Sequence, residues 1–576
     1  MLVGFLLLLP GLVLEPADTV AASRARCLAC HATSDLTVAD ATLGTRKLSA
    51  VGAEVAAPWN AHSQLACTDC HANVAGPSAH GMVETEQPDP SGELEAALAK
   101  RCSKTRLAVL RACRGCHETE WKLYERSIHA DSLVSGRDPG LAIGPAPTCV
   151  DCHGSHGIRY ATDKLADTNL LNIPSTCARC HEAQGVLGTY QGSVHGQKQQ
   201  LTGLDATVCV AVCTSCHSAH DILSPKDPDS TLALGTNRIR TCERCHPGAN
   251  ERFSRSFTHQ DPSADPMIHW AELTHIAMTG LVAACMLLFM GSEAVRVIVC
   301  LVRRREPIRP AVSGGPAQYR RWSKVVRLQH ILLVTSFATL SATGIPLMFP
   351  KAVTARFVIA AFGGVSSAAL IHRIAAVGLM TAATFHITWV LACIRRGARW
   401  SPMIPCLKDV YDSVAMLKYS WGFANERPRM GRYAPPEKFE YWAAACGSVV
   451  MTVTGLLLWF PELGARVVGG SGIRLAQLMH GHEGILAVLV ILIIHVCWVH
   501  FMPGFWPMSL VWLTGRIKRD AMEEYHAGEK HEIDTEAATE ETEEPTAATA
   551  PAADGGDGDS DGDDAGGDAS GGEACP

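Results

Sequence analysis

Charge is scarce in this chain. Asp, Glu, Lys and Arg make up 19% of its 576 residues, and aromatic residues only 6%. With 47% hydrophobic residues, this scarcity excludes a disordered chain, which needs high charge and little apolar surface. Methionine is nearly missing from the first 268 residues, where it occurs only at 1, 82 and 267. Bases are missing from the last 43 residues, which hold 14 acids, so the preceding 533 carry a net +7 despite an overall charge of −7. No arrangement of side chains stands out as a protein nucleophile or general base. Cysteine and histidine, in contrast, are abundant, with 23 and 25 copies. So many Cys exclude a reduced cytosolic protein without metal, the length calls for several segments, and apolar residues clumped past 268 argue against an ordinary soluble enzyme.

Fourteen of the first sixteen Cys fall into one pattern, Cys-x-x-Cys-His. The copies are Cys27-Cys30-His31, Cys67-Cys70-His71, Cys113-Cys116-His117, Cys149-Cys152-His153, Cys177-Cys180-His181, Cys213-Cys216-His217 and Cys242-Cys245-His246. This is the spacing of covalent c-type haem attachment. Two thiols three residues apart reach the two vinyl groups of a porphyrin, and the following His lies under the iron as an axial ligand. A zinc site would need a second Cys pair or a spaced His pair to close four ligands, whereas here each pair carries its own His. Seven covalent haems are expected, and Cys102 and Cys209 are left over, as a disulfide or as buried thiols.

The second axial position needs seven more ligands. The spare His of this region are His62, His80, His129, His156, His195, His220 and His259, which are seven. Bis-His ligation throughout is expected, with the low potentials that a lack of Met implies. The motifs also repeat. Cys113, Cys177 and Cys242 are spaced 64 and 65 residues apart, as are Cys149 and Cys213 at 64. Tyr124 through Ser127 to His129 matches Tyr190 through Ser193 to His195 and Phe253 through Ser256 to His259. His156 and His220 follow their proximal His by three residues, too few to fold over the same iron, so they are expected to serve neighbouring haems. With about 31 residues per haem, the porphyrins replace a conventional core, amid short helices and long loops.

Past 268 lie five apolar stretches of spanning length, about 270–301, 327–349, 369–394, 441–461 and 475–502. The loops between the first and second and between the third and fourth are rich in Lys and Arg; the loops at 350–368 and 462–474 carry two each. The positive-inside rule then places the haem head in the periplasm and the C-terminus in the cytoplasm of a bacterial inner membrane. Residues 1–22 are expected to be a signal peptide or an N-terminal anchor, 23–268 the heptahaem domain, 269–517 a membrane domain and 518–576 an acidic disordered cytoplasmic tail. The fold class is mostly α: a loop-rich head plus a bundle of five transmembrane helices.

Histidines at membrane depth are expensive and usually functional. His372 and His386 are 14 residues apart, about 21 Å of rise and nearly whole turns. His482 and His495 are 13 apart. Two layers of non-covalent b haem follow, with His372 and His482 near the outer surface and His275 and His480 as competitors. His330, His386 and His495 lie near the inner surface, one more than a haem needs, and the last helix could instead use His480 or His500. Cys285, Cys300, Cys393, Cys406, Cys446 and Cys497 read as small apolar residues.

Several of these segments carry a resemblance: Arg327-Leu-Gln-His330, Thr343-Gly344, Ile371-His372-Arg373, Pro435 through Trp442, Thr454-Gly455-Leu456, His482-Glu-Gly484 and Thr514-Gly515-Arg516. Through them residues 322–526 resemble the cytochrome b subunits of formate dehydrogenase, nickel–iron hydrogenase and thiosulfate reductase. The resemblance implies ligand pairs His372–His482 and His330–His495, a menaquinone site near one b haem, and His386 as an extra; the 13-residue spacing departs from the family's 14. The head resembles periplasmic multihaem cytochromes, and the whole resembles fused multihaem-c and cytochrome-b quinol oxidoreductases. The resemblance implies a quinol:cytochrome c type oxidoreductase, with the bilayer, the quinone pool and periplasmic or outer-membrane cytochromes or a terminal reductase as partners, and no nucleic acid. The reverse reaction, an anchor or relay subunit of a periplasmic dehydrogenase, and a head with one open haem are the alternatives. His500 or Asp409 could accept a quinol proton.

Overall fold

The computed structural model of the chain describes residues 104–135, 146–181, 185–202, 210–256, 266–303, 319–397, 401–426, 428–500 and 508–530, with shorter pieces between 21 and 71. Cys30, Cys102, Cys209, His80, His259 and the tail beyond 530 lie outside these residues. The chain divides into two compact units, 1–260 and 261–576.

The first unit is built from short helices in a repeating order. Helices Lys104–Arg114, Glu118–Glu125 and Ile128–Ser135 are followed by the single turn Cys149–His153. Helices Ile173–His181, Val186–Gln191 and Val194–Thr202 are followed by the turn Cys213–His217. The repeat extends to single hydrogen bonds. Tyr124 Oη donates to the Pro147 carbonyl at 2.8 Å, and Tyr190 Oη to that of Ala211 at 3.0 Å. Ser127 Oγ and Ser193 Oγ each donate to the tyrosine carbonyl three residues back, at 2.6 Å. Capping sets the motif turns: Asp69, Asp151 and Ser215, each between its two motif Cys, accept from the backbone N–H of Ala66, Thr148 and Val212. One such turn places both Cys on one helix face. The apolar core is small, a cluster of Leu107, Leu110, Trp121 and Leu133.

The second unit is a helical bundle. Its helices are α1 (Pro266–Arg303), α2 (Lys324–Met348), α3 (Val365–Arg395), α4 (Leu407–Ser420), α5 (Pro435–Trp459) and α6 (Pro461–Leu489). Among the described residues four helices are long and apolar enough to cross a membrane: α2, α3, α5 and α6 with its extension to His495. The expected first stretch is the 38-residue helix α1, which is not among these four. α2 packs on α3, α5 packs on α6, and α1 lies on α6. Helix α6 breaks at Gly469, whose φ of 74° suits glycine, and continues through a π-helical segment, Val490–His495, into Val496–His500.

Two details differ from the expectations. The boundary placed at 518 falls inside folded chain. Strand β1 (Tyr319–Arg320) pairs with β2 (Arg516–Ile517), and helix α7 (Arg519–Tyr525) packs Ala521, Met522 and Tyr525 on Ile517. The pattern is amphipathic, so acidity further on does not reach it. Glu529 is buried and binds Arg321 at 3.1 Å through one oxygen and Arg432 at 3.4 Å through the other. Second, Cys393 is disulfide-bonded, so it is not a free apolar residue.

Candidate functional site

Five histidines that follow the motifs each face a motif histidine. Ring centres lie 5.9 Å apart for His62 and His117, 6.0 Å for His71 and His156, and 6.5 Å for His129 and His181. They lie 6.0 Å apart for His153 and His220 and 6.2 Å for His195 and His246. An imidazole bound through nitrogen at about 2 Å sets its ring centre about 3 Å from the metal, so a trans pair lies about 6 Å apart. The five gaps fit one metal ion each. Among the described residues no three His, Cys, Asp or Glu side chains converge on a metal. A metal between two such imidazoles would have only these two ligands from the described side chains.

The pairing interlocks the repeats. A His trailing an odd-numbered motif faces the motif His two copies ahead: His62 to His117, His129 to His181, His195 to His246. A His trailing an even-numbered motif faces two copies back: His156 to His71, His220 to His153. Neither His156 nor His220 faces its own motif. Burial first, then the facing imidazole, hold His129 and His195 down at about 4, and lower His62, His71 and His153 as well. These rings are neutral near pH 7, with a lone pair to offer.

The thiols follow the same order. Cys27 lies beside Cys67, Cys113 beside Cys149 and Cys177 beside Cys213. Cys70 lies within electrostatic reach of Cys113, Cys152 of Cys180, and Cys216 of Cys242. Each motif thus adjoins the next along the head.

In the second unit, His372 on α3 faces His480 on α6, with ring centres 6.5 Å apart. His372 Nδ1 lies 2.8 Å from Thr343 Oγ1, and His480 Nδ1 lies 2.9 Å from Thr454 Oγ1. Each hydroxyl already donates its one proton to the carbonyl four residues back, of Thr339 and Val450. It must therefore accept from the imidazole, which fixes the Nδ1–H tautomer and leaves the Nε2 lone pair for a metal. Glycine follows each threonine because a Cβ at Gly344 or Gly455 would stand 3.2 Å from the ring it adjoins.

This pairing differs from the expected His372–His482. Two residues on a helix are about 200° apart, so only one can face α3, and His482 instead donates from Nδ1 to the Leu478 carbonyl at 2.8 Å. His480 and His495 are 15 residues apart, about 60° out of register on an ideal helix. The π segment before His495 absorbs one residue and restores the register of a 14-residue spacing.

At the other level, His330 lies within electrostatic reach of His495 and His500. His495 Nδ1 donates to Glu440 Oε2 at 2.8 Å, the carboxylate partner that orients many metal-bound histidines. Among the described residues His386 faces no histidine. Its Nδ1 lies 2.9 Å from Gln329 Oε1 and its Nε2 2.9 Å from Tyr441 Oη, so both nitrogens are engaged. Asp409 is held by Lys438 Nζ at 2.7 Å and caps α4. Sequence reasoning missed Gln329, Tyr441, Glu440 and the role of the two threonines. A signal was present: residues 321–350 and 432–461 align at a constant offset of 111.

Residues 321–510 match the family model described as prokaryotic cytochrome b561. The cytochrome b556(Fdn) subunit of the nitrate-inducible formate dehydrogenase of Escherichia coli K12 is 22% identical over 220 residues, 38% of this chain and 93% of that protein. The same subunit of Shigella flexneri matches equally. The C-terminal half is a cytochrome b membrane module like that subunit.

Proposed function

We propose that the chain is a membrane quinol oxidoreductase that moves electrons between the quinone pool and a multihaem head. The observation that carries it is the set of facing histidine pairs about 6 Å apart, in both units, each sized for a six-coordinate iron. In the head, seven covalent haems would be held by thioethers from the fourteen motif Cys. His31, His71, His117, His153, His181, His217 and His246 would be axial on one side, and the five facing His on the other. By count, His80 and His259 serve His31 and His217. In the membrane module two b haems would be held by His372 with His480 and by His330 with His495. Bound haem supplies one-electron chemistry; the chain supplies order, because adjacent motifs follow the sequence from the first to the seventh.

Menaquinol is the expected reductant, and the acceptor a periplasmic or outer-membrane cytochrome or terminal reductase. The basic loops support a head on the periplasmic side and a cytoplasmic end near Glu529. The similarity to a formate dehydrogenase subunit favours one further reading, a relay subunit for a separate dehydrogenase, which co-purification of such a partner would establish. Pyridine haemochrome analysis of the purified protein is expected to give haem c and haem b near seven to two. A preparation with no haem b contradicts the membrane assignment, and one with no haem c contradicts the head.

A further inference from the structure

The two hairpins α2–α3 and α5–α6 are copies of one another. A shift of 111 residues lays Arg321 on Arg432, Gln329 on Glu440, His330 on Tyr441, Thr343-Gly344 on Thr454-Gly455 and Phe349-Pro350 on Phe460-Pro461. In each copy the first helix carries two polar residues 14 apart, about 21 Å of rise and nearly whole turns. These residues hold the two histidines of the second helix. Thr343 and Gln329 hold His372 and His386, as Thr454 and Glu440 hold His480 and His495.

The copies differ in charge at one of these places. Two of the partners are hydroxyls and one is the neutral amide of Gln329; Glu440 is a carboxylate. The amide stands beside His386, which faces no histidine among the described residues. The carboxylate stands beside His495, one of the proposed ligands. One b centre thus has hydroxyls behind both of its histidines, and the other has a carboxylate behind one.

Little offsets that charge. The Glu440 side chain is 14% exposed, and its Oε1 is buried without a hydrogen-bond partner. The cations at this end of α5 bind other acids. Lys438 Nζ lies 2.7 Å from Asp409, and Arg321 lies 3.1 Å from Glu529 and 3.4 Å from Glu437. On the His330 side of the centre, Nδ1 is buried without a hydrogen-bond partner. The ring there adjoins those of Trp322 and Trp512, at 5.1 and 6.2 Å.

A carboxylate that accepts from an imidazole N–H raises the basicity of the other ring nitrogen. A hydrogen bond to an ionised acceptor is roughly twice as strong as one to a neutral acceptor, so Glu440 outweighs a threonine hydroxyl. Its charge also acts through a low dielectric, where Coulomb terms are large. A bis-imidazole haem carries one more positive charge when ferric than when ferrous. Both effects therefore favour the ferric form and lower the potential.

We propose that Glu440 sets the b centre on His330 and His495 at the lower of the two b potentials, so that electrons collect at the centre on His372 and His480. The proposal rests on the ligand pairs proposed above. It gives the membrane module a downhill direction, from the level of the carboxylate to the level of the threonines. With His372 near the outer surface, as the basic loops favour, that direction suits quinol oxidation rather than its reverse.

The test is a potentiometric titration of the full-length protein in detergent, followed at the b α-band. The wild-type protein is expected to show two b haems of unequal potential, of which His480→Ala removes the higher. Glu440→Gln installs the residue of the other copy. It is expected to raise the lower potential by about 59 mV or more, a change of about tenfold in the ferrous-to-ferric ratio of that haem, and to leave the higher one in place. Glu440→Asp keeps the charge and is expected to keep the lower potential low. Equal wild-type potentials, an unshifted lower potential in Glu440→Gln, or loss of the lower wave in His480→Ala overturn the proposal. Loss of a b haem in both Glu440 variants also overturns it, by making Glu440 a clamp for His495 alone. A protein without haem b sinks the ligand pairs themselves. If the potentials shift as expected but menadiol, a soluble naphthoquinol, cannot reduce the protein, the role of Glu440 stands and the quinol reading falls.

Discussion

Replacing His480 with alanine is expected to remove one of two b haems and to abolish menadiol-driven reduction of the head, while the same change at His482 leaves both haems in place. The two residues stand two positions apart and cannot both face α3. His480 has the environment of a ligand: a ring 6.5 Å from that of His372, a threonine that fixes its tautomer, and a glycine that admits its edge. His482 spends Nδ1 on a backbone carbonyl of its own helix. Haem b per haem c should halve in His480→Ala, measured by pyridine haemochrome, and the remaining b haem should reduce normally with dithionite. Loss of haem from His482→Ala, with His480→Ala intact, would reverse the pairing.

Replacing His220 with glycine is expected to open a haem in another motif. His220 follows His217 by three residues, yet its ring stacks 6.0 Å from that of His153 at an interplanar angle of 9°. The variant should convert one low-spin haem of the seven to high spin and bind one carbon monoxide per chain, where the wild-type protein binds none in the head. Removing Cys149 and Cys152 as well should abolish the new site; removing Cys213 and Cys216 should not. The opposite result would mean that each trailing histidine serves its own motif.

Much of this was legible in the residues. The Cys-x-x-Cys-His copies need only local spacing, because one capped turn carries each. The matching total of spare histidines is also a linear count. Which histidine meets which motif was not legible, since the forward and backward reach of two copies comes from how the repeats stack. The apolar stretches located α2, α3, α5 and α6, but not the break at Gly469. His480 was only a competitor in the sequence because the expected 14-residue spacing assumes an unbroken α-helix, and the π segment at Val490–His495 changes the count. The folded stretch to residue 530 was hidden by composition: the acidic run that follows it drew the boundary too early. His386 looked like a spare haem ligand because its spacing from His372 is that of a ligand. In the structure both of its ring nitrogens are engaged, by Gln329 and by Tyr441, the residue at which the second hairpin departs from the first.

In the proposed function, electrons enter from quinol at the membrane module and leave through the head. Rapid mixing of the oxidised, haem-loaded protein with menadiol, with the b and c α-bands followed together, tests this most directly. The b bands are expected to be reduced first, and the c bands to follow as b is reoxidised. Full reduction of the b bands while the c bands stay oxidised, or reduction of c ahead of b, would contradict it.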